Sequence, residues 1–108
     1  MPKLSISIPH ELERDEVMRR MKASRKVVEE FEQAGARTLS ETWSDYGYQM
    51  VTELMKQEIS LEISAEEERC VRAEVELPMM LMLAQGIIRE KLEGGLRQML
   101  SSGAPVTE

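Results

Sequence analysis

The segments ISLEI (59–63) and VRAEVEL (71–77) decide the fold of this chain, because apolar and polar residues alternate strictly along both of them. A period of two predicts strands that are buried on one face and exposed to water on the other. The stretch AEEE (65–68) lies between the segments and predicts a turn. Together they predict an antiparallel sheet that is covered on one side only.

The same period appears in LSISI (4–8) and, less regularly, in residues 37–57, where turn signals near 44–47 and 56–57 delimit two further strands. Two other segments have the period of a helix. The first, residues 11–34, carries Val17, Met21, Ser24, Val28 and Phe31 on one stripe, and the second, residues 78–100, carries Leu81, Ala84, Ile88, Leu92, Gly95 and Met99.

The resulting order, β-α-β-β-β-β-α, predicts an α+β fold with about five antiparallel strands. An N-terminal helix and a long C-terminal helix then cover the apolar face of the sheet. Residues 1–100 are expected to form a single domain, and residues 101–108 a flexible C-terminal tail. The glycine pair at 94–95 predicts a bend or fraying in the last helix.

Composition restricts the class of protein. The net charge of −6 disfavours a nucleic-acid partner, since binding to phosphates needs an excess of Lys and Arg. The longest apolar run, residues 79–84, is far shorter than the roughly 20 residues of a transmembrane helix. One cysteine precludes an internal disulfide, and the start MPK leads directly into the first strand, so we expect a cytoplasmic protein.

Several motifs resemble one bacterial family. They are LSISIPHEL (4–12), RDE (14–16), Trp43, ELP (76–78) and GIIREKL (86–92). With them the chain is similar, over about residues 1–100, to the polyhydroxyalkanoic acid system, or granule-region, proteins. The resemblance implies a role at the storage granule or with its proteins, and no defined reaction. The glycines at 94–95 and the methionines within 79–82 depart from the family pattern.

No catalytic constellation is recognisable. His10 is the only histidine, so any Ser-His-Asp or Cys-His arrangement has to use it, and its position after Pro9 favours a structural role at the junction of strand and helix. Cys70 and His10 are too few and too far apart in sequence for a transition-metal site. We therefore expect no enzyme activity, no cofactor and no metal.

Two surfaces are candidates for partner binding. In a regular helix from Pro78 onward, Met79, Met82 and Leu83 point away from the core stripe. Either an irregular first turn tucks them under the sheet, or they form an exposed patch for a partner, a second copy or a hydrophobic surface. On the first helix, Arg19, Lys22 and Lys26 form a basic ridge, interpreted as a solvated face or as a docking ridge for an acidic partner.

Two functional hypotheses follow. In the first, the chain is a non-enzymatic protein of the polyhydroxyalkanoate system that binds a granule, a granule protein or itself through residues 79–83. In the second, it carries or senses a small apolar ligand, as in a reduced helix-grip fold. The predicted pocket between the C-terminal helix and the sheet is lined by Trp43, Tyr48, Met50, Leu61 and Ile88. A closed core favours the first hypothesis, and an apolar cavity of roughly 300 Å³ or more favours the second.

Overall fold

The computed structural model describes residues 3–67 and 69–102 of the chain. The elements, in order, are β1 (Lys3–Pro9), α1 (Arg14–Ala23), α2 (Lys26–Gln33), β2 (Arg37–Ser44), β3 (Gly47–Leu54), β4 (Gln57–Ser64), β5 (Cys70–Glu76), a 3-10 segment (Met79–Ala84) and α3 (Gln85–Ser102). The five strands and the C-terminal helix confirm the predicted α+β class.

The five strands form one antiparallel sheet in the order β1-β5-β4-β3-β2. The register places Leu61 opposite Val75 and Ile63 opposite Ala73, so the alternating apolar residues of β4 and β5 share one face. These residues are almost fully buried, whereas Glu62 and Glu74 project from the other face. One face of the sheet therefore carries the core, as the alternation predicts.

The first helical region is interrupted, which corrects the prediction of one continuous helix over residues 11–34. Ser24 has extended backbone angles (φ −113°, ψ 134°), and its N–H donates to the Arg20 carbonyl to close α1. Its Oγ accepts a hydrogen bond of 3.3 Å from the N–H of Lys26, where α2 begins. The predicted stripe is otherwise buried, because Val17 and Met21 face the core from α1, and Val28 and Phe31 from α2. Gly35, with φ +102°, follows α2.

The second helical region also differs from a regular helix. Its first six residues adopt the 3-10 geometry, and α3 then runs without interruption through Gly94 and Gly95 to Ser102. The predicted fraying at the glycine pair is therefore wrong. Helix α3 also extends two residues into the predicted tail, of which residues 103–108 lie outside the described residues.

The close packing of α2 on α3 explains why position 95 is a glycine. A Cβ atom added to Gly95 would lie 3.1 Å from the Cα of Val27 in α2. An added Cβ at Gly94 would meet nothing within 4 Å. A side chain at position 95 would therefore push the two helices apart, whereas position 94 is open to solvent.

Helix α3 completes the core by packing on α2, α1 and β1. Leu92 and Leu96 are fully buried, and Ile88 and Met99 are nearly so. The guanidinium of Arg20 in α1 donates to the carbonyl of Leu100 and so holds the last turns of α3. Within residues 3–67 and 69–102, no helix combines the length and the apolar character that a membrane crossing requires.

Candidate functional site

Four large apolar side chains are exposed immediately after the sheet. The exposed fractions are 76% for Met79, 73% for Met80, 100% for Leu83 and 60% for Ile87. We call these four residues the methionine patch. Met80, Leu83 and Ile87 follow one another at spacings of three and four residues across the junction of the 3-10 segment and α3, which places these three on successive turns, and Met79 directly precedes Met80. The patch therefore gathers four exposed apolar side chains within residues 79–87.

The local sequence explains this exposure. Pro78 stops the sheet, and its carbonyl accepts a hydrogen bond of 2.9 Å from the N–H of Leu81, which begins the 3-10 turn. Leu81 is buried at 3% exposure, and Met82 packs partly against the core. Since nearly every residue of this segment is apolar, any helical geometry that buries Leu81 leaves other large side chains outside. The segment therefore supplies more apolar surface than the fold covers.

Charge is also absent around the patch in sequence. Glu76 and Arg89 are the nearest charged residues on either side, so residues 77–88 carry none. When this segment contacts an apolar surface, no charged group has to be removed from water, a step that costs free energy. The arrangement suits contact with an apolar phase or with an apolar protein surface.

The structure combines parts of the two alternatives for residues 79–83: the first turn is irregular, yet Met79 and Leu83 are exposed. Met82 is half-buried and packs partly against the core. Sequence reasoning missed Met80 and Ile87. A signal for Ile87 exists, since it lies four residues after Leu83, but Met80 becomes exposed only because the first turn is not a regular α-helix.

The predicted basic ridge is not a free positive surface. Arg19 forms a bidentate ion pair with Glu16, which lowers the pKa of that carboxyl to about 2. Lys26, with its Nζ atom 3.9 Å from Glu29, lies on α2 beyond the break. Each of these two cations is therefore paired with a carboxylate on its own helix, and Glu16 also accepts a hydrogen bond from Arg20. The third, Lys22, holds its ammonium group 5.8 Å from the centre of the Trp43 ring.

Trp43 lies on the edge strand β2, at the break between α1 and α2, and is 39% exposed. Its ring packs on that of Tyr48 at a centroid distance of 4.6 Å. The Tyr48 hydroxyl donates to Glu41 at 2.8 Å, and Arg25 donates two hydrogen bonds to the same carboxylate. The bonds from Arg25 lower the pKa of Glu41, and burial raises the pKa of Tyr48. The two hydrogen bonds from Arg25 to Glu41 therefore link the start of α2 to β2.

The structure corrects the predicted ligand pocket. Tyr48, Met50, Leu61 and Ile88 are at most 4% exposed and fill the core, and Trp43 lies at the sheet edge, away from α3. The apolar cleft beside Trp43 has a volume of about 20 Å³ and is lined by α1, α2 and the sheet. This space is comparable to one water molecule and far below the roughly 300 Å³ of a small-molecule site.

Larger clefts lie on the polar face of the sheet. One has a volume of about 380 Å³ and includes Glu62, Glu74 and Arg72 in its walls, and another of about 250 Å³ includes Lys3 and Glu76. Both have charged side chains in their walls and are formed by residues of the sheet and its turns without α3, so they do not match the apolar pocket predicted between helix and sheet.

His10 has a structural role at the end of β1. Its Nδ1 atom accepts a hydrogen bond of 3.0 Å from the N–H of Leu12, so the proton of the neutral ring is on Nε2. The Nε2 atom is buried without a hydrogen-bond partner in the described part of the chain. Burial lowers the pKa of His10 and keeps the ring neutral. This geometry holds the turn into α1, as its position after Pro9 predicts.

Within residues 3–67 and 69–102, no group of three or more His, Cys, Asp or Glu side chains is placed so that it could hold a metal ion. Cys70 is a free, partly exposed thiol on β5.

No protein-family model matches the chain, and no curated protein matches it significantly. A function for the chain therefore has to be inferred from its fold, the methionine patch and its sequence motifs.

Proposed function

We propose that the chain is a non-enzymatic, cytoplasmic binding protein of the polyhydroxyalkanoate storage system, and that the methionine patch attaches it to the granule surface. The observation that carries this proposal is the exposure of Leu83, Met79, Met80 and Ile87 in a segment without charge. The resemblance of motifs such as LSISIPHEL (4–12) and GIIREKL (86–92) to the granule-region proteins supports the choice of partner.

The energetics favour attachment. Transfer of one such side chain from water to an apolar environment contributes about 1.5–3 kcal/mol when it is fully buried. Four neighbouring side chains supply several times that amount before the cost of immobilisation is subtracted. Methionine suits a poorly ordered surface, because its flexible side chain adapts to irregular contacts. An amorphous polyester surface therefore matches the chemistry of the patch.

The size of the patch favours an extended apolar surface over a second copy of the chain. Four side chains expose a few hundred Å², within the range of functional patches on monomers. A standard protein interface buries about 800 Å² on each partner. A homodimer would need additional contacts from the charged surroundings of the patch, whereas a polymer surface needs none.

The carrier hypothesis receives less support. The residues predicted to line its pocket fill the core, and the apolar cleft beside Trp43 holds about 20 Å³. A small apolar ligand would have to displace core side chains such as Tyr48 and Met50. Surface attachment requires no such rearrangement.

Co-sedimentation with amorphous polyhydroxybutyrate particles tests the proposal. We expect the wild-type chain to sediment with the particles and Leu83→Glu or Met80→Glu to remain in the supernatant, with an affinity at least about tenfold lower, since loss of 1.4 kcal/mol has that effect. Met55→Glu is the matched control, because Met55 is 75% exposed in the turn between β3 and β4, outside the patch. Met55→Glu should bind like the wild type.

Three outcomes contradict the proposal. Wild-type protein that stays in the supernatant, with and without granule proteins, removes the granule as partner. A wild-type dimer in solution that Leu83→Glu converts to a monomer, without polymer binding, assigns the patch to a second copy. Sedimentation only in the presence of granule proteins replaces the polymer surface by a protein partner.

A further inference from the structure

The methionines within residues 3–67 and 69–102 differ sharply in exposure. Met18, Met21, Met50 and Met99 are between 1% and 5% exposed and belong to the core. Met55, Met79 and Met80 are between 73% and 76% exposed, and Met82 is half-buried. Of these three highly exposed methionines in the described part of the chain, Met79 and Met80 are adjacent residues of the methionine patch.

This placement has a chemical consequence. A hydroperoxide transfers one oxygen atom to a thioether, so that the sulfur loses two electrons and becomes a sulfoxide while the peroxide is reduced to water or an alcohol. The product is a polar side chain in place of a flexible apolar one, and reductases return it to the thioether. Exposure governs the reaction for a group without a reactive proton, so the core methionines are shielded by the fold.

We propose that Met79 and Met80 form a reversible oxidation site, at which hydroperoxides make the methionine patch more polar. The consequence for granule attachment rests on the proposed function; the modification and the change in surface polarity do not. Leu83 and Ile87 cannot form sulfoxides, so oxidation weakens the apolar character of the patch and leaves part of it in place.

The patch is well suited to such a change. Among residues 77–88 only Gln85 has a polar side chain, so two new sulfoxide groups change the polarity of the segment substantially. Neither Met79 nor Met80 belongs to the core, so their oxidation leaves the packing of Leu81 and α3 intact. The fold thus separates a modifiable surface from a protected interior, which allows oxidation to alter binding without unfolding the chain.

Hydrogen peroxide titration of the purified chain, followed residue by residue by peptide mass spectrometry, tests the site. We expect Met79, Met80 and Met55 to oxidise at similar rates and at least about tenfold faster than Met50, in line with their exposure. Oxidation of Met79 and Met80 at the rate of Met50 would overturn the proposal.

Retention on a phenyl chromatography matrix tests the change in polarity. Oxidised wild type should elute earlier than the untreated protein, and treatment with methionine sulfoxide reductases should restore its retention. The double variant Met79→Leu with Met80→Leu should keep its retention after peroxide, because leucine is apolar and inert. Met55→Leu is the matched control and should respond like the wild type.

Each alternative result is decisive. Equal loss of retention in the double variant would assign the effect to oxidisable side chains that remain there, such as Met82, Met55, Trp43 or Cys70, and would overturn the proposal. Unchanged retention of oxidised wild type, or failure of the reductases to restore it, would do the same. Failure of untreated protein to bind polymer would remove the proposed function, while oxidation rates and retention would still decide this inference.

Discussion

The 3-10 segment and α3 are consecutive helical stretches that use their apolar residues differently: the segment is wholly apolar, whereas α3 alternates apolar residues with charged ones. In α3, Leu92 and Leu96 are fully buried, whereas Leu83 in the segment is fully exposed. The buried residues of α3 recur every three to four positions and face one direction. The segment is apolar on every side, so Leu81 reaches the core, Met82 and Ala84 reach it in part, and the other side chains stay outside. Periodicity, and not apolar content, determines which residues a helix buries.

The largest expected effect comes from truncating the same residue type in the two regions. Leu92→Ala removes a fully buried side chain beneath α3 and should lower the free energy of unfolding by about 2–5 kcal/mol. Leu83→Ala should change it by no more than about 0.5 kcal/mol, as is usual for surface substitutions. Urea denaturation followed by circular dichroism measures both values. Similar losses in both variants would mean that Leu83 is covered in solution.

A second pair of variants tests the contrast within α3 itself. Gly95→Ala should destabilise the chain, because overpacking against Val27 costs about 1–3 kcal/mol, more than the roughly 1 kcal/mol that alanine contributes to a helix. Gly94→Ala should stabilise it by up to about 1 kcal/mol, since position 94 is open. Thermal and urea denaturation of the two variants give the sign directly. A stabilising Gly95→Ala would show that α2 and α3 are less closely packed.

The edge strand β2 provides a third, smaller test, because it too carries an exposed apolar residue, Trp43. Unlike the methionine patch, this region is fastened to the core by the bond from Tyr48 to Glu41. Tyr48→Phe should cost about 0.5–1.5 kcal/mol of stability. Tyr46→Phe, which removes a weaker and more exposed bond of 3.3 Å to Asp15, should cost less. Equal costs in denaturation experiments would argue against the Tyr48 cluster as a structural fastening.

The smallest expected effect is that of pH. It should change the stability of the folded chain but leave the apolar character of the methionine patch unchanged. Burial lowers the pKa of His10 below 6.5 in the folded state, so the unfolded chain binds a proton more readily. The stability due to neutral His10 is complete above pH 6.5 and declines as the pH falls below that value toward the lowered pKa. His10→Asn should flatten the decline between pH 7 and 5.5 in urea denaturation.

Retention of the wild type on a phenyl matrix should stay constant over the same range, since residues 77–88 contain no titratable group. A stability curve for His10→Asn as steep as that of the wild type would exclude His10 as the source of the decline.

Much of the fold follows from sequence, and the reasons are local. Each of the five strands has the alternation or turn signals that predict it, and the stripe through Ile88, Leu92 and Met99 predicts the buried face of α3. The break at Ser24 was missed, because serine fits a helical stripe about as well as it fits a helix end. The candidate site was predicted in part: the apolar excess of residues 79–83 was evident, but which side chains face water was not.

Neighbouring residues encode strand alternation and helical periodicity, so the antiparallel sheet, its buried face and the apolar excess after Pro78 can be read from the chain's residues. Three features emerge only from the folded molecule: Gly95 lets α2 approach α3, Tyr48 and Met50 fill the core and line no pocket, and Met80 and Ile87 join Met79 and Leu83 in one patch. These outcomes depend on contacts between segments distant in sequence, and on a 3-10 turn whose geometry is set by how the chain leaves the sheet.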